Sequence, residues 1–223
     1  MPDDDDPMYK AYRSSVWEND AMDRVPIHVG RNILIVPEYG HCRDSRGHLT
    51  LYMDSRFAFG DGRHPTTMLC LTLLEEFLVE LAPAEKKRIT MLDIGTGTGI
   101  LAILASRMGL DNILALDIDP DSITNAAELA RLNEAPSIEF RLMDAALLPP
   151  VPAYGLITAN LLPPILRTVI PLSARLSLPG APVIVSGIGD ASIDEMEELM
   201  INSGFTEMKH VSSGWWHAYL LRH

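Results

Sequence analysis

The sequence predicts an α/β protein built on a doubly wound, mostly parallel sheet, and three observations carry that expectation. From Ile89 onward, short β-prone runs alternate with helical patterns, the order that lays down a parallel sheet with helices on both faces. One strand-to-helix turn, Leu92-Asp93-Ile94-Gly95-Thr96-Gly97-Thr98-Gly99-Ile100-Leu101-Ala102, carries three glycines. The chain ends in two strand-like runs around Ser212-Ser213-Gly214, a hairpin that adds one antiparallel strand.

The elements follow in order. Residues 1–24 are acidic and polar, with Asp3 to Asp6 between two prolines; charge repulsion predicts a partly mobile segment. Its later part, with Tyr9, Tyr12 and Trp17, has the means to dock. Residues 25–55 form a short β-rich lead-in, with runs at Ile33 to Val36 and Leu49 to Met53. Residues 56–223 form the main domain. It opens with the glycine-rich loop Phe59-Gly60-Asp61-Gly62 and a helix from Thr66 to Leu81, apolar at 69, 73, 77 and 81 and at 71, 74 and 78. Strands follow at Ile89 to Leu92 and Ile113 to Leu116, each leading to a helix, Ile100 to Met108 and Asp121 to Leu132. Ile138 to Leu142 and Tyr154 to Ala159 read as further strands. Pro163-Pro164 suits the first turn of a helix, where a missing N–H costs little. Pro182 to Ser186 is a strand, and Ser192-x-x-Glu195 is a capping-box pattern opening a helix that runs to about Asn202. Phe205 to Val211 and Trp215 to Leu221 make the closing hairpin.

Composition narrows the function. The chain has 223 residues, 47% of them hydrophobic, enough to bury a sizeable core. Its formal charge of −12 argues against charge-driven binding to a nucleic-acid backbone. No apolar run reaches the roughly 20 residues that span a bilayer. The start MPDDDDPMYK is acidic where a signal peptide would be basic and then apolar. Cys42 and Cys70 are too few for a disulfide scaffold and lack metal-site spacing. A cytoplasmic protein without a structural metal is expected.

The glycine turn carries the chemistry. Gly95, Gly97 and Gly99 let a ligand approach the backbone, and free N–H groups at the following helix start favour an anionic group. Gly97-x-Gly99-x-x-Ala102 also satisfies the loose dinucleotide fingerprint. Asp117, at the end of the next strand, stands where an acidic residue accepts hydrogen bonds from ribose hydroxyls. Asp119 is read as the cap of the helix after Pro120. Asp144 follows the third strand and is either an acceptor for an adenine amine, beside Ala145, or a plain turn residue. Asn160, at the end of the fourth strand, faces the same crevice with one donor and one acceptor group, or else caps the helix beyond it.

The segment Phe57-Ala58-Phe59-Gly60-Asp61-Gly62-Arg63-His64-Pro65-Thr66-Thr67 closely resembles the Ala-Phe-Gly-x-Gly-x-His-Pro-Thr-Thr stretch of ribosomal protein L11 methyltransferases. The likeness continues through the glycine turn, Asp117-Ile118-Asp119-Pro120, Ala159-Asn160-Leu161-Leu162 and Val185-Ser186-Gly187, over roughly residues 25 to 223. It implies a class I, Rossmann-like methyltransferase with a seven-stranded sheet. Its methyl donor would be S-adenosylmethionine (SAM), with S-adenosylhomocysteine (SAH) as product. It also implies a protein acceptor such as ribosomal protein L11, and SAM contacts from Thr67, Gly95, Asp117 and Asn160. Two departures stand out. Full-length family members carry a separate substrate-gripping domain where this chain has only its short acidic segment, so another protein or a small molecule is an alternative acceptor. Asp61 and Arg63 also bring charge into the loop, where small hydroxyl residues are expected.

Methyl transfer from a sulfonium is an in-line displacement, so the protein's task is alignment and exclusion of water. A lysine acceptor must lose its proton, which burial and a nearby cation favour. Phe57, Phe59 and Leu161 can form an apolar collar around that amine, with Asn160 as the orienting catalytic residue; alternatively the two phenylalanines are packed core. His64 can be a base, but its place before Pro65 favours a role in fixing the loop. Thr67 either caps the helix or reaches the SAM carboxylate. His217 is expected to be structural or exposed, and of Trp215 and Trp216 at most one lies in the core. The acidic tail is a solvated segment or, more sharply, a dock for a basic protein. A nicotinamide-dependent oxidoreductase would also use Asp117, yet leaves the His-Pro-Thr-Thr segment unexplained.

Overall fold

A computed structural model of the chain describes residues 25–37, 47–53, 60 and 62–223. The lead-in is a three-stranded sheet: β1 (Ile27–Val29) runs antiparallel to β2 (Ile33–Pro37), and β2 runs parallel to β3 (Leu49–Met53). After it come α1 (Pro65–Val79), the single turn α2 (Pro83–Lys86), β4 (Thr90–Ile94), α3 (Ile100–Arg107), β5 (Asn112–Asp117) and α4 (Pro120–Leu132). The rest comprises β6 (Ile138–Leu142), β7 (Leu156–Asn160), α5 (Pro163–Leu176), β8 (Pro182–Gly189), α6 (Ile193–Asn202), β9 (Thr206–Ser213) and β10 (Trp216–Arg222). Among the described residues, no helix is long and apolar enough to cross a membrane.

The main sheet has seven strands in the order β6-β5-β4-β7-β8-β10-β9. All pairings are parallel except those of β10, which is antiparallel to both neighbours. Reversal of chain order between β4 and β7 opens a crevice at the carboxyl ends of the central strands. Their near-continuous apolar runs, such as Leu156-Ile157 and Val183-Ile184-Val185, suit a sheet covered on both faces. The register between β8 and β10 skips Gly187, whose φ of +91° belongs to a bulge. A Cβ there would stand 2.1 Å from the Leu161 carbonyl oxygen, so only glycine lets the loop after β7 pass so close.

Local chemistry starts the helices. His64 Nδ1 accepts from Thr66 N at the head of α1, where Pro65 occupies the first turn. Asp119 accepts from Asp121 N and Ser122 N at the head of α4, as expected of a cap. The expected capping box of α6 is not made: Ser192 forms no side-chain cap, and Glu195 instead receives two hydrogen bonds from Arg167 of α5, at 2.5 and 3.1 Å. A charge-assisted bidentate pair outcompetes a bond to one backbone N–H. Helix α5 continues through Pro171.

Residues Ile100 to Ala105 of α3 are all buried, which an apolar six-residue run requires and one sheet face cannot provide. The lead-in supplies the second cover: Val29, Ile33, Ile35, Leu51 and Met53 share one apolar core with α1 and α3. Two polar clasps fix it. The buried carboxylate of Glu75 in α1 accepts from Arg31 N at 2.7 Å and Asn32 N at 2.8 Å, in the β1–β2 turn. Asn133, just after α4, accepts from Tyr52 N and donates to Tyr52 O, both at 2.7 Å.

Candidate active site

A cavity of about 650 Å³ opens at the carboxyl ends of β4, β5 and β7. Its floor is the glycine turn after β4. Gly95 and Thr96 donate backbone N–H groups to the Leu116 carbonyl oxygen, both at 2.9 Å, which folds the turn across β5. Gly95, Gly97 and Gly99 have φ of +69°, +55° and +79°. Gly95 and Gly97 line the cavity; Gly99 lies outside its lining and starts α3, where a Cβ would come 3.1 Å from Ala126 Cβ. The sequence pattern thus mixes two requirements, room for the Leu161 side chain, which a Cβ on Gly95 would meet at 2.4 Å, and close helix packing at Gly99.

Asp117 lines one side of the cavity. Its Oδ2 accepts from Gly97 N at 2.9 Å and its Oδ1 from Asp119 N at 3.0 Å. An ionised carboxylate has about four lone-pair sites, so acceptor capacity remains for hydroxyls. Asp144 also lines the cavity, and its Oδ1 accepts from Ala146 N at 2.8 Å and caps a 3₁₀ turn, the turn role expected as one of its two alternatives. Asn160 faces Asp117 across the glycine turn, at the end of β7, and its Nδ2 donates to Thr67 Oγ1 at 3.3 Å. Asn160 does not cap α5; that position belongs to Leu162, without a side-chain bond. Thr67 is buried behind Asn160 rather than on the cavity wall, and the cap of α1 is His64.

His64 lines the cavity with its ring edge-on to Trp216, centroids 5.0 Å apart. Burial lowers its pKa to about 4, so the imidazole is neutral at physiological pH. Its Nδ1 also lies 2.8 Å from Thr66 Oγ1, and the ring is a fixed part of the helix start. Of the two tryptophans, Trp216 lines the cavity and Trp215 is 63% exposed. His217 lies between Asp190 Oδ1 (2.7 Å) and His210 Nε2 (2.9 Å), a structural placement. Phe57, Phe59 and Asp61 lie outside the described residues, as do Cys42 and residues 1–24. Gly60 holds the loop to the glycine turn, because its carbonyl accepts from Thr98 Oγ1 at 2.6 Å. Arg63 Nη2 donates to Val25 O at 2.8 Å, toward the lead-in.

One residue beneath the site has no role assigned from the sequence. Asp93, fully buried in β4, accepts from Thr96 Oγ1 at 2.6 Å in the glycine turn and from Thr158 Oγ1 at 2.5 Å in β7. Burial raises its pKa to about 6 against the lowering effect of those hydroxyls. It therefore ties the loop carrying Gly95 and Gly97 to the strand carrying Asn160. A carboxylate followed three residues later by a threonine was the only sequence signal for it.

Comparison with known proteins agrees with this geometry. The family model described as Ribosomal protein L11 methyltransferase (PrmA) matches residues 7–223. A ribosomal protein L11 methyltransferase of Geotalea uraniireducens is 32% identical over 203 residues, 88% of this chain and 62% of that protein. Another, of Trichlorobacter lovleyi, is 36% identical over 177 residues, 79% of this chain and 56% of its own length. This chain thus spans about 62% or less of these relatives. The crystal structure of a ribosomal protein L11 methylase from Lactobacillus delbrueckii subsp. bulgaricus superposes with a TM-score of 0.78 at 29% identity, covering 88% of this chain and 97% of that one. An RNA methyltransferase from Salinibacter ruber, solved with S-adenosyl-L-homocysteine, shares the fold at a TM-score of 0.55 and 21% identity, over 71% of this chain and 93% of that one. The chain belongs to the ribosomal protein L11 methyltransferase family, within the SAM-dependent methyltransferases.

Proposed function

We propose that this chain binds SAM in the cavity at the carboxyl ends of β4, β5 and β7 and N-methylates amines, lysine or N-terminal, of a protein. The observation that carries the reading is the placement of Asp117 and Asn160 on opposite sides of one glycine turn, both facing the cavity. The residues fit the donor. About 650 Å³ is within the range of pockets that enclose a nucleoside-sized ligand. Asp117 keeps acceptor capacity for ribose hydroxyls, Asp144 and Ala145 stand where an adenine edge would meet them, and the backbone of Gly95 and Gly97 is approachable.

When bound, SAM supplies an electrophilic methyl group on a positively charged sulfur. The protein's own residues then have three tasks. Asn160, held by Thr67, orients the acceptor nitrogen with its amide. Leu161, Leu162 and Trp216 exclude water from the reacting end, and this apolar setting favours a neutral amine over an ammonium. The alignment itself lowers the barrier, since a neutral amine attacking the methyl carbon as the carbon–sulfur bond breaks needs no dedicated base in that step.

Methyl transfer from tritiated SAM into an extract of the source cells tests the assignment, with acid-precipitable and soluble counts separated. A labelled protein band, absent for Asn160→Ala, is the expected result. Label confined to small molecules would replace the acceptor class while leaving the donor, and no label with no SAH binding would overturn the reading.

A further inference from the structure

Away from the cavity, one face of the C-terminal hairpin gathers Glu207 and His210 of β9 and His217 and Tyr219 of β10, opposite Glu197 of α6. Glu207 and His210 stand three positions apart and would point to opposite faces of an unbroken strand. The pairing of β9 with β10 prevents that: Lys209 lies opposite Leu220 and Glu207 opposite Leu221, so Met208 is the extra residue of a bulge. The bulge puts Glu207 and His210 on the same face, that of Tyr219 and Leu221. One oxygen each of Glu197 and Glu207 and one ring nitrogen of His210 lie within 4.8 Å of one another.

Hydrogen bonds set the tautomers. The Asp190 carboxylate accepts from His217 Nε2 at 2.7 Å, so a neutral His217 presents a lone pair at Nδ1. That lone pair accepts a hydrogen bond from His210 Nε2–H at 2.9 Å, which leaves His210 Nδ1 as a bare acceptor. The ring is held in place by stacking on Tyr219, centroids 4.4 Å apart and planes 4° from parallel. Tyr219, itself buried, commits its hydroxyl proton to Glu197 Oε1 at 2.7 Å. Lys209, next in the chain, turns to the other face and pairs with Glu76 of α1. The ring thus keeps one lone pair, and with one of its nitrogens and two carboxylate oxygens within 4.8 Å of one another the cluster is one that a cation completes.

We propose that Glu197, Glu207 and His210 form a zinc site that pins α6 to β9, with Asp190 and His217 fixing the ligating ring from behind. One nitrogen and two carboxylate oxygens suit Zn²⁺, whereas Mg²⁺ and Ca²⁺ favour all-oxygen sets. A tetrahedral ion with ligands near 2.1 Å holds its donors roughly 3.4 Å apart, so the exposed Glu207 carboxylate swings inward on binding. The Asp190-His217-His210 chain is the support that orients a metal-bound histidine and raises its basicity.

Titration of the tag-free chain with ZnCl₂ at pH 7.5 by calorimetry tests this site without reference to methyl transfer. One saturable 1:1 event is expected, absent with MgCl₂ and abolished in Glu207→Gln and in His210→Gln, both exposed positions whose variants keep the wild-type circular dichroism. Asp190→Asn is expected to weaken zinc binding about tenfold. No zinc binding by the wild type would overturn the proposal. So would binding that survives in both ligand variants, because the ion would then sit elsewhere.

Discussion

Replacing Asp93 by Asn gives a quantitative test of the clamp beneath the glycine turn. In the folded chain the Asp93 carboxyl titrates at about 6 instead of the ordinary 3.8, because burial disfavours its charge more than Thr96 and Thr158 support it. The folded state therefore binds the Asp93 proton more tightly than the unfolded state does. Its contribution to stability is complete below pH 3.8 and is lost as pH rises through about 6. The full difference corresponds to roughly 3 kcal/mol, and about half of it falls between pH 5 and pH 7.5. Asparagine keeps the shape and can serve both threonines, by accepting from one hydroxyl and donating to the other. It removes the ionisation. Urea unfolding at pH 5, 6, 7 and 7.5 should show the wild type losing about 1 to 2 kcal/mol relative to Asp93→Asn over that range. Parallel pH profiles for the two proteins would refute the argument that Asp93 is a buried acid with a raised pKa.

Three further outcomes are expected. Asp117→Ala removes the acceptor proposed for the ribose and also frees the N–H groups of Gly97 and Asp119, so SAH affinity should fall at least tenfold by calorimetry; equal affinity for both proteins would remove Asp117 from the site. Asn160→Ala should lower the single-turnover methyl-transfer rate about a hundredfold or more while SAH binding drops far less, and an unchanged rate would count against its orienting role. Gly187→Ala meets the Leu161 carbonyl at 2.1 Å from a backbone with φ of +91°, and should destabilise the fold by about 2 kcal/mol or more in urea; a neutral result would mean that the bulge can rearrange.

Local patterns were legible in the sequence because they depend on near neighbours. Short β-prone apolar runs and the 3.6-residue period locate the strands and helices of the main domain, and Asp119 before Pro120 is legible as a cap, whereas at the head of α1 the cap is His64 and not Thr67. What escaped depends on residues far apart in the chain. Thr158 comes to Asp93 across 65 positions, and nothing in the surroundings of either announces the other. Ser192 and Glu195 satisfied a capping-box pattern, yet Arg167 on the neighbouring helix claimed the glutamate. The two jobs of the glycine turn also look alike in sequence, since a positive φ is the same whether it makes room for the Leu161 side chain, as at Gly95, or for helix α4, as at Gly99. The resemblance puts Thr67 at the site; in the structure it is buried, and its hydroxyl accepts from Asn160 Nδ2 at 3.3 Å.

The clasp between Asn133 and Tyr52 has a consequence for self-association. Among the described residues β3 is an edge strand, whose outer backbone groups invite pairing with any extended chain. At Tyr52 the amide side chain of Asn133 takes up the N–H and the C=O as a neighbouring strand would, at 2.7 Å each. The lead-in sheet therefore stops growing by mimicry: one buried asparagine occupies the slot where a fourth strand, native or foreign, would begin to zip.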